Sequence, residues 1–171
     1  MILAIDIGNS GTALGFYQHD TLLHHCKISS KPYKTEDEFI MLLKTFCEQN
    51  AIDEKDISGC AVSSVVPPLT NSVRNAVHRL FGCTPIIVGP GIKTGLNIRT
   101  DNQTQLGADI VANTVAVAAK VEKPFLIVDF GTATTITAVN LSGELVGVII
   151  IPGVSLSADA LSSSAAELPY I

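Results

Sequence analysis

The sequence predicts an α/β fold in two parts, each opening on the same strand–turn–strand unit. The main observation is a repeat. Ile2-Leu3-Ala4-Ile5-Asp6-Ile7-Gly8-Asn9-Ser10 and Phe125-Leu126-Ile127-Val128-Asp129-Phe130-Gly131-Thr132-Ala133-Thr134-Thr135 both run from apolar residues into Asp, one apolar residue, Gly and small hydroxyl or amide residues. Aligning Asp6 on Asp129 puts Gly8 on Gly131 and Ser10 on Ala133, a constant offset of 123 positions. A second apolar segment follows each copy, at 12–17 and 135–139. Between the copies, β-branched runs alternate with stretches of helical period. With 171 residues, 47% of them hydrophobic, the chain can build a sizeable core in one domain or two small ones.

In order, 2–7 and 12–17 read as a hairpin and 22–29 as a third strand. Thr35-Glu36-Asp37-Glu38 is a helix start, a hydroxyl cap with acids in the first turn and Glu38 placed for a capping box. Phe39, Leu42, Leu43 and Phe46 give that helix one apolar face, and it should end near Asn50. Residues 57–64 read as a strand leading through Ser63-Ser64-Val65-Val66-Pro67-Pro68 into a helix. Proline suits its first turn, Leu69, Val73, Val77 and Leu80 make its inner face, and Gly82 is placed to stop it. Residues 85–88 form a short strand and 89–105 a turn-rich surface loop beside a cleft. Leu106-Gly107-Ala108-Asp109-Ile110 opens an Ala- and Val-rich helix to about 121, apolar almost all round and expected between domains. The second hairpin follows, then a strand at 145–151 and a helix at 155–163. The domains are expected at 1–121 and 122–171.

A lone Asp-x-Gly marks many strand-to-turn junctions. Two copies behind buried strands point further. Glycine lets the backbone approach a ligand, Asn, Ser and Thr offer donors to phosphate oxygens, and a strand-end Asp suits a hydrated Mg²⁺. The arrangement resembles the duplicated phosphate loops of the acetate and sugar kinase, Hsp70 and actin superfamily. That resemblance implies duplicated ribonuclease-H-like (actin-like ATPase) domains closing on ATP from opposite sides.

Net charge is −5 with no basic cluster, which argues against nucleic acid as a partner. No apolar run approaches the ~20 residues that span a bilayer, and the N-terminus carries no basic leader, so neither membrane insertion nor a signal peptide is expected. Cys26, Cys47, Cys60 and Cys83 are widely spaced, without metal-ligand spacing, and read as free thiols in a reducing cytoplasm. His24 and His25 read as surface or edge residues.

Five motifs in order make the chain resemble the type III pantothenate kinases: 6–10; Ser63-Ser64-Val65-Val66-Pro67; Leu106-Gly107-Ala108-Asp109; 129–134; and Pro152-Gly153 followed by 156–161 and Leu168-Pro169. The resemblance covers nearly the whole chain. It implies ATP-dependent phosphorylation of pantothenate to 4'-phosphopantothenate, the first step toward coenzyme A. Asp6, Gly8, Asn9 and Ser10 match the first phosphate loop, with Asp6 contacting Mg²⁺ through water. Gly131, Thr132, Ala133 and Thr134 match the second, with Asp129 near a monovalent cation, K⁺ or NH₄⁺. Asp109 matches the general base, which orients the acceptor hydroxyl and takes its proton; outside that context it reads as a helix-start acid. Thr100, Gly107, Ala108 and Ile110 fall on the substrate side, where Gly107 is expected to let substrate near the backbone.

Three positions depart from the pattern, all on that side. Ile110 replaces an Arg able to grip a carboxylate bidentately, Thr100 an aromatic residue and Gln103 a proline. The chain also stops short of family length. A C-terminally truncated member is therefore expected, with an incomplete second domain, an open sheet edge prone to pairing, and a homodimer in the full-length form. The alternative implied by Ile110 is a catalytically impaired nucleotide-binding or transcription-accessory relative.

Overall fold

The computed structural model describes residues 1–89, 92–101 and 106–164. Backbone proximity divides the chain into two compact units, 1–90 with 107–109, and 91–106 with 110–171. The stretch 91–106 and the helix from Ile110 onward thus cluster with the second hairpin, whereas the sequence pattern suggested a division at 121.

The first unit is a five-stranded sheet of order β3-β2-β1-β4-β5. The strands are β1 (Ile2–Ile7), β2 (Gly11–Gln18), β3 (Thr21–Ser29), β4 (Gly59–Ser64) and β5 (Ile86–Ile87). The first three form an antiparallel meander, whereas β4 runs parallel to β1 with Asp6 opposite Ser63. Two helices, α1 (Glu36–Gln49) and α2 (Pro67–Phe81), supply the core with Phe39, Leu43, Leu69, Val73 and Val77 against Leu3, Ile5 and Ile7. The capping box forms: Thr35 Oγ1 accepts from the Glu38 amide and Glu38 Oε2 accepts from the Thr35 amide. Pro67 opens α2, and Gly82 closes it in the left-handed region at φ 69°, where glycine carries no Cβ penalty.

The second unit is a four-stranded sheet of order β6-β9-β8-β7. It contains β6 (Asn97–Ile98), β7 (Phe125–Phe130), β8 (Ala133–Val139) and β9 (Glu144–Pro152), with α4 (Val154–Ser164) and, from Ile110 onward, α3 (Ala108–Ala118). The antiparallel meander β7-β8-β9 repeats β1-β2-β3. Strand β6 lies inside the stretch read as loop; two residues are too few for any periodic signal, and it forms by pairing with β9. The four cysteines are free, and burial raises every thiol pKa, that of Cys60 to about 12. No described helix is long and apolar enough to cross a membrane. Gln103 and the Leu168-Pro169 pair lie outside the described residues.

Candidate active site

The first turn hangs between β1 and β2. Gly8 donates its N–H to the Gly11 carbonyl at 2.9 Å, enclosing Asn9 and Ser10, both exposed. Sequence reasoning missed its foundation, Ser30, which lies just past the segment 22–29 read as the third strand. The buried Ser30 hydroxyl donates to the Gly8 carbonyl at 2.6 Å and pairs with Thr12 Oγ1 at 2.9 Å. The Ser30 amide donates to the Ser10 carbonyl at 3.2 Å. Three bonds from one residue therefore fix both ends of the turn. Nothing in the local sequence distinguishes this Ser from other loop serines.

The second turn is built differently. Gly131 donates to the Ala133 carbonyl at 3.1 Å, enclosing Thr132 alone. The pairing is Ile7 with Thr12 in the first hairpin and Phe130 with Thr134 in the second, one residue tighter than the constant offset predicts. Ala133 therefore opens β8 as Gly11 opens β2, and the ladder does not place it on Ser10. The support also differs. Gly153 donates to the Thr132 carbonyl at 3.0 Å, and a Cβ on Gly153 would collide with the carbonyl oxygens of Gly131 and Thr132. Asp129 is held by Asn113 of α3, whose Nδ2 donates to Oδ2 at 3.0 Å, a second partner the sequence did not announce.

The two adjacent serines at the end of β4 divide their work. Ser64 accepts from the Val66 amide at 3.1 Å and from Thr70 Oγ1 at 2.6 Å, which anchors the start of α2. Ser63 is buried and its hydroxyl has no partner, although its strand register sets it beside Asp6. A buried orphan hydroxyl is costly unless something else bonds it. With the exposed Asp6, the Gly8 turn and the Asn9 and Ser10 side chains, this donor set fits a magnesium-bound phosphate. No group of three or more His, Cys, Asp or Glu side chains that could hold a metal ion occurs among the described residues.

Asp109 lies in the first turn of α3. Its carboxylate occupies the space a Cβ of residue 107 would need, a space that Val65 also borders. Glycine at 107 thus makes room for the Asp109 side chain. Ala108 and Ile110 are buried, and the Ile110 carbonyl accepts from Thr114 Oγ1 at 2.7 Å.

The sequence profile of the type III pantothenate kinases matches residues 2–171. The chain belongs to the type III pantothenate kinase family. It is 44% identical over all 171 residues to the type III pantothenate kinase of Halalkalibacterium halodurans, covering 67% of that protein, and 44% identical to that of Geobacillus sp. (strain WCH70), covering 66%. It thus spans about two thirds of the length of these relatives. Among solved structures it resembles the Aquifex aeolicus Ppx/GppA phosphatase (TM-score 0.52, 16% identity, 98% of this chain and 56% of that one). It also resembles a reductive activator for a corrinoid, iron–sulfur protein (TM-score 0.54, 14% identity, 95% and 32%). These likenesses give the fold, that of the actin-like ATPases and sugar kinases. By lineage this type III pantothenate kinase chain is an enzyme, and a kinase family implies ATP and a divalent metal. Its departures at Thr100 and Ile110 both line one cavity of the second unit.

Proposed function

We propose that the chain phosphorylates pantothenate with ATP to give 4'-phosphopantothenate, the entry step of coenzyme A synthesis. The observation that carries the proposal is the first turn, a glycine-closed bend braced from beneath by Ser30 and flanked by Asp6 and the orphan Ser63 hydroxyl. Asn9 and Ser10 donate to phosphate oxygens there, and Gly131, Thr132, Ala133 and Thr134 contribute at the second turn. Asp6 would hold Mg²⁺ through water; when bound, the ion neutralises charge on the phosphates. Asp129, steadied by Asn113, would serve a monovalent cation, potassium or ammonium.

Asp109 orients the acceptor hydroxyl and takes its proton as that oxygen bonds to the γ-phosphorus and the bond to ADP breaks. Phosphoryl transfer depends mainly on positioning, so one well-placed carboxylate suffices as base. The exposed apolar face of β7 supports a homodimer in the full-length form, and four unbridged cysteines support a cytoplasmic setting.

Calorimetry with ATP and then pantothenate, followed by ADP release, tests the proposal. Binding of both ligands and pantothenate-dependent ADP release are expected. ATP binding without pantothenate binding would favour the second reading, a nucleotide-binding relative without catalysis, to which Ile110 points.

A further inference from the structure

Within the second unit a cavity of about 330 Å³ is bordered by Arg99, Thr100 and Asp101 on its polar side and by Leu106, Ile110 and Ile150 among its apolar walls. Its size falls in the range of small-ligand sites, and its lining is as much polar as apolar, which suits an amphiphilic guest. Two features mark it as more than a packing gap. The Thr100 hydroxyl is shut off from solvent and has no hydrogen-bond partner. Arg99 is the cation among the described lining residues, and it is held in place from two directions.

The backbone of Arg99 is tied by its N–H to the Leu145 carbonyl at 2.8 Å, which extends the β6–β9 pairing. Its side chain donates through Nε to Glu144 Oε1 at 3.1 Å. Glu144 is itself fixed, accepting from Asn97 Nδ2 at 2.8 Å and from Asn140 Nδ2 at 2.9 Å. The Asn140 hydrogen bond and the Arg99 guanidinium hold the Glu144 carboxyl below its ordinary pKa. A guanidinium carries five N–H donors, and the contact with Glu144 uses Nε. The terminal nitrogens form an edge suited to two parallel bonds to a carboxylate. Asp101 stands on the same border and disfavours a diffuse anion site, so a directed, bidentate contact is the one that fits.

We propose that Arg99 is the specificity-determining cation of this cavity. It grips the carboxylate of a small amphiphilic acid whose apolar body lies against Leu106, Ile110 and Ile150, while Thr100 takes a polar group of the same molecule. The assignment rests on the pantothenate reading above and names the residue that replaces an arginine at position 110. Glu144 is a positioning residue, acting through Arg99.

The test is calorimetry on the 171-residue chain with pantothenate and with pantothenol, in which an alcohol replaces the carboxylate. The wild-type chain is expected to prefer pantothenate by about tenfold or more, the scale of a charge-assisted contact. Arg99→Gln should abolish that preference and leave pantothenol binding within about twofold, whereas Arg99→Lys should keep about threefold, since the charge survives and the fork does not. In the Arg99→Gln background, Ile110→Arg should restore a preference for pantothenate over pantothenol. Unchanged pantothenate binding in Arg99→Gln, or no wild-type preference over pantothenol, overturns the assignment and leaves the kinase reading standing. Equal loss of pantothenol binding in both Arg99 variants would mark a structural role and also overturn it. A wild-type chain that binds ATP and neither acceptor removes the kinase reading and this inference together.

Discussion

Strands β1 and β7 carry the same sequence pattern and meet opposite environments. Leu3, Ile5 and Ile7 of β1 are 0%, 3% and 0% exposed, whereas their repeat counterparts Leu126, Val128 and Phe130 of β7 are 68%, 48% and 72% exposed. The difference lies in the neighbours. β1 is central, paired on both sides and covered by α1 and α2. β7 is an edge strand among the described residues. A hydrophobic strand pattern therefore reports what a segment is able to bury; the surrounding elements decide whether it is buried.

The sharpest way to break the comparison is to truncate matched positions. Leu3→Ala should cost about 3 kcal/mol, as for core leucines generally, while Leu126→Ala stays within about 0.5 kcal/mol. Chemical unfolding checks both, and equal costs would mean β7 is covered in solution. The two turns give the next contrast. Gly153→Ala drives a methyl into the carbonyls beneath the second turn and should cost about 2 kcal/mol in thermal unfolding. At the first turn, Ser30→Ala strips hydrogen bonds from Gly8 and Thr12 and should cost about 1–2 kcal/mol, with weaker ATP binding.

The last contrast is a pH slope. Burial pushes the Cys60 thiol from 9.0 to about 12. Its contribution to folding is complete below about pH 9 and declines as pH rises toward the folded value, because only the unfolded chain releases the proton there. The fall in Tm between about pH 9 and about pH 11 should be shallower in Cys60→Ala; parallel slopes would refute that account.

Much of the fold was legible because it depends on local chemistry. The capping box at Thr35 and Glu38, the proline that opens α2 and the glycine that closes it all lie within a few residues of what they control. The repeat was legible for the same reason. Its geometry was not, since Asp-x-Gly does not encode whether the turn encloses two residues or one, and the ladder shifts by one position as a result. The supports of the site escaped because each bond spans the fold: Ser30 reaches back to Gly8, and Asn113 reaches Asp129 from another element. The short strand β6 escaped because its pairing with β9 is its only signature. With it went the significance of Arg99, which becomes visible only once Glu144 is seen holding it.

The seat of Gly153 beneath the second turn has a practical consequence for anyone who wishes to label this chain. A fluorophore or epitope spliced in beside Pro152 would prise the turn away from the Gly153 amide that supports it. The exposed bend at Leu141 and Ser142, at the other end of the same hairpin ladder, is the place where added residues should be tolerated without disturbing the Gly131 turn.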